Sequence, residues 1–163
     1  MRKPARGATL DEIENIYRLR LPDFRRVAAA ILGDRDLAFD AVQDGFALAV
    51  RERSSFRGEG TLEAWLWRIV VNAARAQRRR RPDGGSMQTI ASSNGHADDA
   101  EERVRAAIAL VPERQRLVLF LRYYADLDYG AIADALEISV GTVGATLNAA
   151  HASMARVLQE VTQ

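Results

Sequence analysis

The chain of 163 residues contains no cysteine, which removes disulfides, thiol nucleophiles and cysteine-held zinc in one step. Histidine is nearly as scarce, and His96 and His151 are the two soft metal ligands left. No Ser, His and Asp constellation, phosphate loop or metal set is present, so the chain is expected to be no enzyme, with no catalytic residues, metal or cofactor. Gly58-Glu59-Gly60 lacks the third glycine and the preceding strand of a nucleotide fingerprint. Long apolar runs are missing too, and the N-terminus MRKPARGATLDEIE lacks the apolar core of a secretory signal. The expectation is a soluble, cytoplasmic protein with no membrane partner. Net charge of one sign is small, at +1, but the near-neutrality hides two unlike halves. Residues 1 to 82 hold 17 Lys+Arg against 11 Asp+Glu, a balance of +6, and residues 83 to 163 hold 6 against 11, a balance of −5. That asymmetry points to nucleic acid for the first half.

What is there is a folded composition: 48% hydrophobic residues over a length that suits one ordinary domain or two small ones. From about Thr9 to Leu32, apolar residues recur at spacings of three and four, which predicts helix, and Asp11, Glu12 and Glu14 suit its first turn. Pro22 should kink or divide it, Gly33 should close it, and Asp34 should cap the next helix. That second helix is read from about Asp36 to Arg53, with Leu37, Ala41, Val42, Phe46, Ala49 and Val50 on one side. Asp36, Asp40 and Asp44, four apart and with Gln43 nearby, stand on another. They make either a docking face for a basic partner or a solvated face. As a metal cage they are poor.

The stretch Ser54 to Pro82 sets aromatics beside dense positive charge. SSFRGEG reads as a loop carrying an exposed Phe56 and Arg57; Thr61 reads as an N-cap, and a helix follows that ends in four consecutive arginines, Arg78 to Arg81. A single nucleic-acid strand asks for this pairing: flat faces on which bases stack, at about 1–3 kcal/mol each, and cations for phosphates. Phe56, Trp65 and Trp67 are candidate faces, and Arg57, Arg68, Arg75 and the arginine run are candidate cations. The opposing possibility is that the tryptophans are core.

Asp83 to Ala100 is rich in Gly, Ser, Asn and Asp and reads as a linker. The expected organisation is therefore all-α: two small helical domains, 9–82 and 101–163, joined by 83–100. In the second domain, a helix opening at Asp98 or Asp99 turns Val104, Ala107, Ile108 and Val111 inward, and Pro112-Glu113 starts the next. Asp128 caps a short helix Tyr129 to Leu136, and Ser139 caps a long final helix to about Leu158. A short helix, a tight turn and a capped long helix make a helix-turn-helix.

Taken together, GDRDLAFDAVQDGF, WLWRIVVN before RRRR, and LVPERQRLVLFLRYYADLDYGAIADALEISVGTV resemble regions 2 and 4 of the extracytoplasmic-function (ECF) group of bacterial RNA polymerase sigma factors. The resemblance spans about Ile16 to Pro82 and Glu101 to Leu158. It implies a dissociable polymerase subunit that directs promoter recognition and melting. Asp36, Asp40, Gln43, Asp44 and Phe46 would meet the clamp helices of the largest polymerase subunit. Phe56, Arg57, Trp65, Arg68, Asn72, Arg75, Arg78 and Arg79 would capture the melted non-template strand of the minus-10 element. Thr142, Ala145, Thr146, Asn148 and His151 on the final helix would face the minus-35 element. The flap of the second-largest subunit, promoter DNA and an anti-sigma factor are the further partners it implies. Two departures stand out. Phe39 replaces a usual Glu, and between Ala125 and Gln163 Arg156 is the only basic side chain, so weak minus-35 affinity is expected. The neutral final helix leaves an alternative: a sigma-like regulator whose C-terminal domain binds a partner and does not read DNA.

Overall fold

The computed structural model describes residues 7–81, 107, 108 and 110–162. Among them are six α-helices, one 3-10 turn and no strand. The helices are α1 (Leu10–Leu32), α2 (Arg35–Arg51), α3 (Leu62–Arg79), α4 (Glu113–Tyr123), α5 (Tyr129–Leu136) and α6 (Val140–Thr162), with the 3-10 turn at Arg53–Ser55. The linker, with His96, and the start of the helix carrying Val104 lie outside the described residues; Ala107 and Val111 are buried, as their spacing predicts.

Local chemistry sets the helix ends. Thr9 and Glu12 form a reciprocal capping box at the start of α1, the Glu12 N–H donating to Thr9 Oγ1 at 3.2 Å and the Thr9 N–H to Glu12 Oε2 at 2.8 Å. Gly33 ends the helix in the left-handed region at φ 67°, its N–H on the Ala29 carbonyl at 2.7 Å. Asp34 then accepts from the N–H groups of Asp36 and Leu37. Pro22 lies inside α1, which runs on through it undivided. Pro22 and Arg18 one turn earlier are both exposed, so water can reach the carbonyl that loses its helical donor. The second helix stops two residues short of Arg53, the 3-10 turn taking over, and Val50 is exposed at its end.

Helices α1, α2 and α3 pack on one another as a three-helix unit. At Gly45 α2 comes close to α3: a Cβ there would lie 3.0 Å from Val70 Cγ2 and 3.1 Å from Val70 Cα. A larger residue would have to push the backbones apart. In the interior, Phe24 stacks on Trp67 at 3.9 Å between centroids and meets Phe46 edge-on at 5.0 Å. Each fully buried ring of this kind contributes roughly 1.5–3 kcal/mol from removal of apolar surface.

Helices α4, α5 and α6 form the second unit, the helix-turn-helix being α5 and α6. Asp128 accepts from the Ala131 N–H at 2.8 Å and Ser139 from the Thr142 N–H at 3.1 Å, so both expected caps are present. Ile132, Ala133 and Leu136 are buried. Between the helices, Glu137 sits in the left-handed region at φ 56°, where a side chain costs roughly 1–2 kcal/mol. Glu137→Gly is therefore expected to stabilise the protein by about 1 kcal/mol. In thermal denaturation this should appear as a rise in Tm of about 2–4 °C; an unchanged or lower Tm would contradict it.

The two units touch: α3 packs against α5 and α1 against α4. One buried cluster runs through both, from Phe24 and Trp67 to Leu121 and Ile132.

Candidate nucleic-acid interface

Helix α3 positions most of the candidate strand-binding residues. Thr61 caps it, accepting from the Ala64 N–H at 3.1 Å. At 100° per residue, Leu66, Trp67, Val70, Val71 and Ala74 fall on one side and are buried. Arg68, Asn72, Arg75 and Arg79 fall together on the opposite side, Arg68 and Arg79 exposed, Asn72 and Arg75 half-buried. Trp65 lies at the edge of this row, half-buried. The preceding loop brings Phe56 onto it, ring centroids 5.6 Å apart and planes tilted by 53°. The loop is anchored from behind, since the Ala8 N–H donates to the Arg53 carbonyl at 2.9 Å. Arg57 projects beside it, exposed.

Three expectations need correction here. Trp67 is no stacking face: it is fully buried against Phe24. Two residues along a helix amount to a 200° turn, which sends Trp65 and Trp67 to different sides. Phe56 is half-buried against Trp65, not exposed. The arginine run does not act as one block. Arg78 lies on the inner side and pairs with Glu113 at the start of α4. Burial and, second, the neighbouring Arg75 hold its guanidinium below its ordinary pKa. Arg81 donates to the Leu32 carbonyl at 2.9 Å and so caps the end of α1. Arg79 and Arg80 are left exposed.

On α2, Asp36, Asp40, Gln43 and Asp44 are exposed along one side, and the Gln43 side chain donates to the Tyr17 hydroxyl at 2.6 Å. Phe46, expected in that surface, is interior: it is 7% exposed and meets the Tyr17 ring edge-on at 4.9 Å. It supports the row from beneath. Sequence reasoning missed the neighbourhood of Phe39, whose exposed ring is covered by the Arg25 guanidinium at 5.2 Å. Beside it Arg25, Arg26 and Arg35 line a shallow cleft of about 330 Å³ with Leu21, Pro22 and Ala29. The signal in the sequence was an adjacent pair of arginines on a helix otherwise read for its apolar spacing.

On α6, Ala145, Asn148 and His151 are exposed and Thr142 and Thr146 half-buried. The Thr142 hydroxyl is 2.8 Å from that of Ser139, and His151 Nε2 is 2.8 Å from the Tyr123 hydroxyl. The exposed side of this helix offers a phosphate no cation before Arg156.

Family models place both units. Residues 16–82 match Sigma-70 region 2 and residues 101–154 match Sigma-70 region 4. The RNA polymerase sigma-H factor of Pseudomonas aeruginosa is 31% identical, over 77% of this chain and 75% of the relative. The chain belongs to the ECF group of RNA polymerase sigma factors. The ECF RNA polymerase sigma factor EcfG of Rhodopseudomonas palustris is 29% identical over 91% of this chain and 86% of its own length. Among solved structures, the fold is similar to the sigma factor RpoE in complex with the anti-sigma factor NepR from Bartonella quintana. The TM-score is 0.75 at 23% identity, covering 92% of this chain and 98% of that one. It is also similar to CnrH in complex with the cytosolic domain of CnrY, at TM-score 0.69 and 20% identity, covering 94% of this chain and 91% of that one. As a sigma factor the chain directs transcription initiation. Sigma factors are not catalytic enzymes in the usual sense. Among the described residues no single helix is long and apolar enough to cross a membrane.

Proposed function

We propose that this sigma factor opens promoters with the outer row of α3. Trp65 and the loop Phe56 supply stacking faces for bases of the minus-10 non-template strand, and Arg57, Arg68, Asn72, Arg75 and Arg79 hold its backbone. The observation that carries this is the segregation of α3: one side is fully buried, and the opposite side concentrates guanidinium groups beside an aromatic edge. Such a surface suits bases already unstacked, since stacking and phosphate neutralisation both work without a duplex. Arg78, engaged by Glu113, is available to DNA only when the two units separate.

Residues 9–82 and 101–163 act as the two units, with 83–100 as the tether. The acidic row Asp36, Asp40, Asp44, with Gln43, is the docking face for the clamp helices of the largest polymerase subunit. The second unit meets the flap of the second-largest subunit and the minus-35 element, the latter weakly, because α6 carries so little positive charge. The protein works in the cytoplasm without catalysis of its own. One solved structure of similar fold holds an anti-sigma factor, and a partner of that kind is proposed for this chain as well.

The test is reconstitution. The full chain mixed with bacterial core polymerase should comigrate with it and yield promoter-dependent transcripts. Asp36, Asp40 and Asp44 changed together to lysine should weaken the complex at least about tenfold, since each reversal sets like charge against a basic partner surface. These positions are exposed, so the fold is kept. An unchanged affinity would remove the acidic row from the interface.

A further inference from the structure

Helix α1 carries a second group of arginines that strand binding does not use. Arg25 and Arg26 are both exposed, and Arg35, at the start of α2, joins them around one cleft of about 330 Å³. Leu21, Pro22 and Ala29 make up the rest of its lining. Two of the guanidiniums are held by rings: Arg25 lies over Phe39 at 5.2 Å and Arg26 over Tyr124 at 5.5 Å. A guanidinium stacked by its face keeps N–H groups at its edge for an oxyanion.

Neighbouring carboxylates do not use up this charge. Asp23 reaches Arg26 at 3.5 Å but lies nearer to Arg20, at 3.2 Å. Asp34 is taken up in capping α2, and Asp36 stands exposed on the acidic row. Arg25 and Arg35 have no carboxylate partner among the described residues. Three like charges around one cavity repel one another unless an anion sits among them.

The shape narrows the choice of anion. The volume falls at the low end of small-molecule sites, about 300–1,000 Å³. A nucleic-acid strand spreads its charge along its length, one phosphate per nucleotide, and is met by a row of cations such as that of α3. Three guanidiniums around a single cleft instead match several negative charges close together, as in a di- or triphosphate. Beside them Leu21, Pro22 and Ala29 give an apolar lining against which a flat base can lie.

We propose that this cleft binds a nucleoside di- or triphosphate. Arg25, Arg26 and Arg35 hold the phosphates, and the base lies against Leu21 and Pro22. None of these residues belongs to the strand-binding row or to the acidic docking row, so binding is read on the protein alone, without DNA or polymerase.

Isothermal titration of the full chain with ATP and with GTP at low ionic strength should show one site, with a Kd of about 0.1 mM or tighter for at least one of them. Inorganic triphosphate should bind at least about fivefold more weakly, because it leaves the apolar lining wet. Arg25→Ala with Arg35→Ala should weaken nucleotide binding at least about tenfold, the loss expected for charge-assisted hydrogen bonds. Arg51→Ala with Arg80→Ala removes the same charge at exposed positions elsewhere and should leave the affinity within about twofold, since screened charges outside the cleft contribute little. No binding of either nucleotide, equal weakening in the two double variants, or inorganic triphosphate binding as tightly as ATP and GTP would overturn the proposal. Displacement of the nucleotide by a single-stranded oligonucleotide at equal phosphate concentration would assign the cleft to the DNA backbone and overturn it as well.

Discussion

Arg68, Arg75 and Arg79 changed together to alanine should reduce promoter opening by about two orders of magnitude while core polymerase binding stays within about twofold. The three side chains lie on the outer side of α3, apart from the acidic row of α2. They make no ion pair across to the second unit among the described contacts, so their loss leaves the packing intact. Each phosphate contact to a single strand contributes about 0.7 to the slope of log affinity against log salt. The triple variant should accordingly show a slope shallower by about 2 in addition to weaker binding. Trp65→Ala should add a loss of about 1–3 kcal/mol per unstacked base, with little effect on the salt slope, because the indole is uncharged. Permanganate reactivity of thymines in the melted region, measured at several salt concentrations, separates the two. Wild-type reactivity in the triple variant would remove α3 from strand capture.

Trp67→Ala should act on folding and not on DNA. The ring is fully buried and stacked on Phe24, at the point where the three helices of the first unit and the cluster continuing into the second unit converge. Truncating a buried tryptophan costs about 3–5 kcal/mol through lost burial and the cavity left behind. For a chain of this size that lowers Tm by about 10 °C or more. Trp67→Phe should cost far less: it keeps an aromatic ring against Phe24 and removes an indole N–H that is buried without a hydrogen-bond partner. Trp65→Ala, at the half-buried edge, should shift Tm by only a few degrees. Circular dichroism melting curves rank the three. A Trp67→Ala protein that melts like wild type yet fails to open promoters would reverse the roles assigned to the two indoles.

The contrast between these tryptophans shows where reading the chain alone stops. Both sit in WLW, both are large and aromatic, and either suits a stack or a core. The phase of α3 against its neighbours decides between them. That phase is set by the close approach of α2 at Gly45 and by Phe24 of α1, partners 25 and 43 positions away in the chain. Phe46 follows the same logic. It stands within two positions of Asp44, yet it turns inward because Tyr17 and Phe24 close over it.

Helix starts and the helix-turn-helix were legible from residue types because their chemistry is local. Asp34, Thr61, Asp128 and Ser139 each cap an N–H two or three positions onward, and such a bond depends on little beyond its own turn of chain. The fates of the arginines were not legible in this way. Arg79 and Arg80 face solvent, Arg81 closes the end of a helix 49 residues earlier, and Arg78 joins the second unit. Guanidinium groups are interchangeable by composition, and their partners are assigned only when distant elements meet. Opposite net charge on the two halves was likewise countable in the chain, whereas the seating of α5 on α3 required the packed structure. Charge acts over several ångströms without specifying a geometry, and shape decides which faces come together.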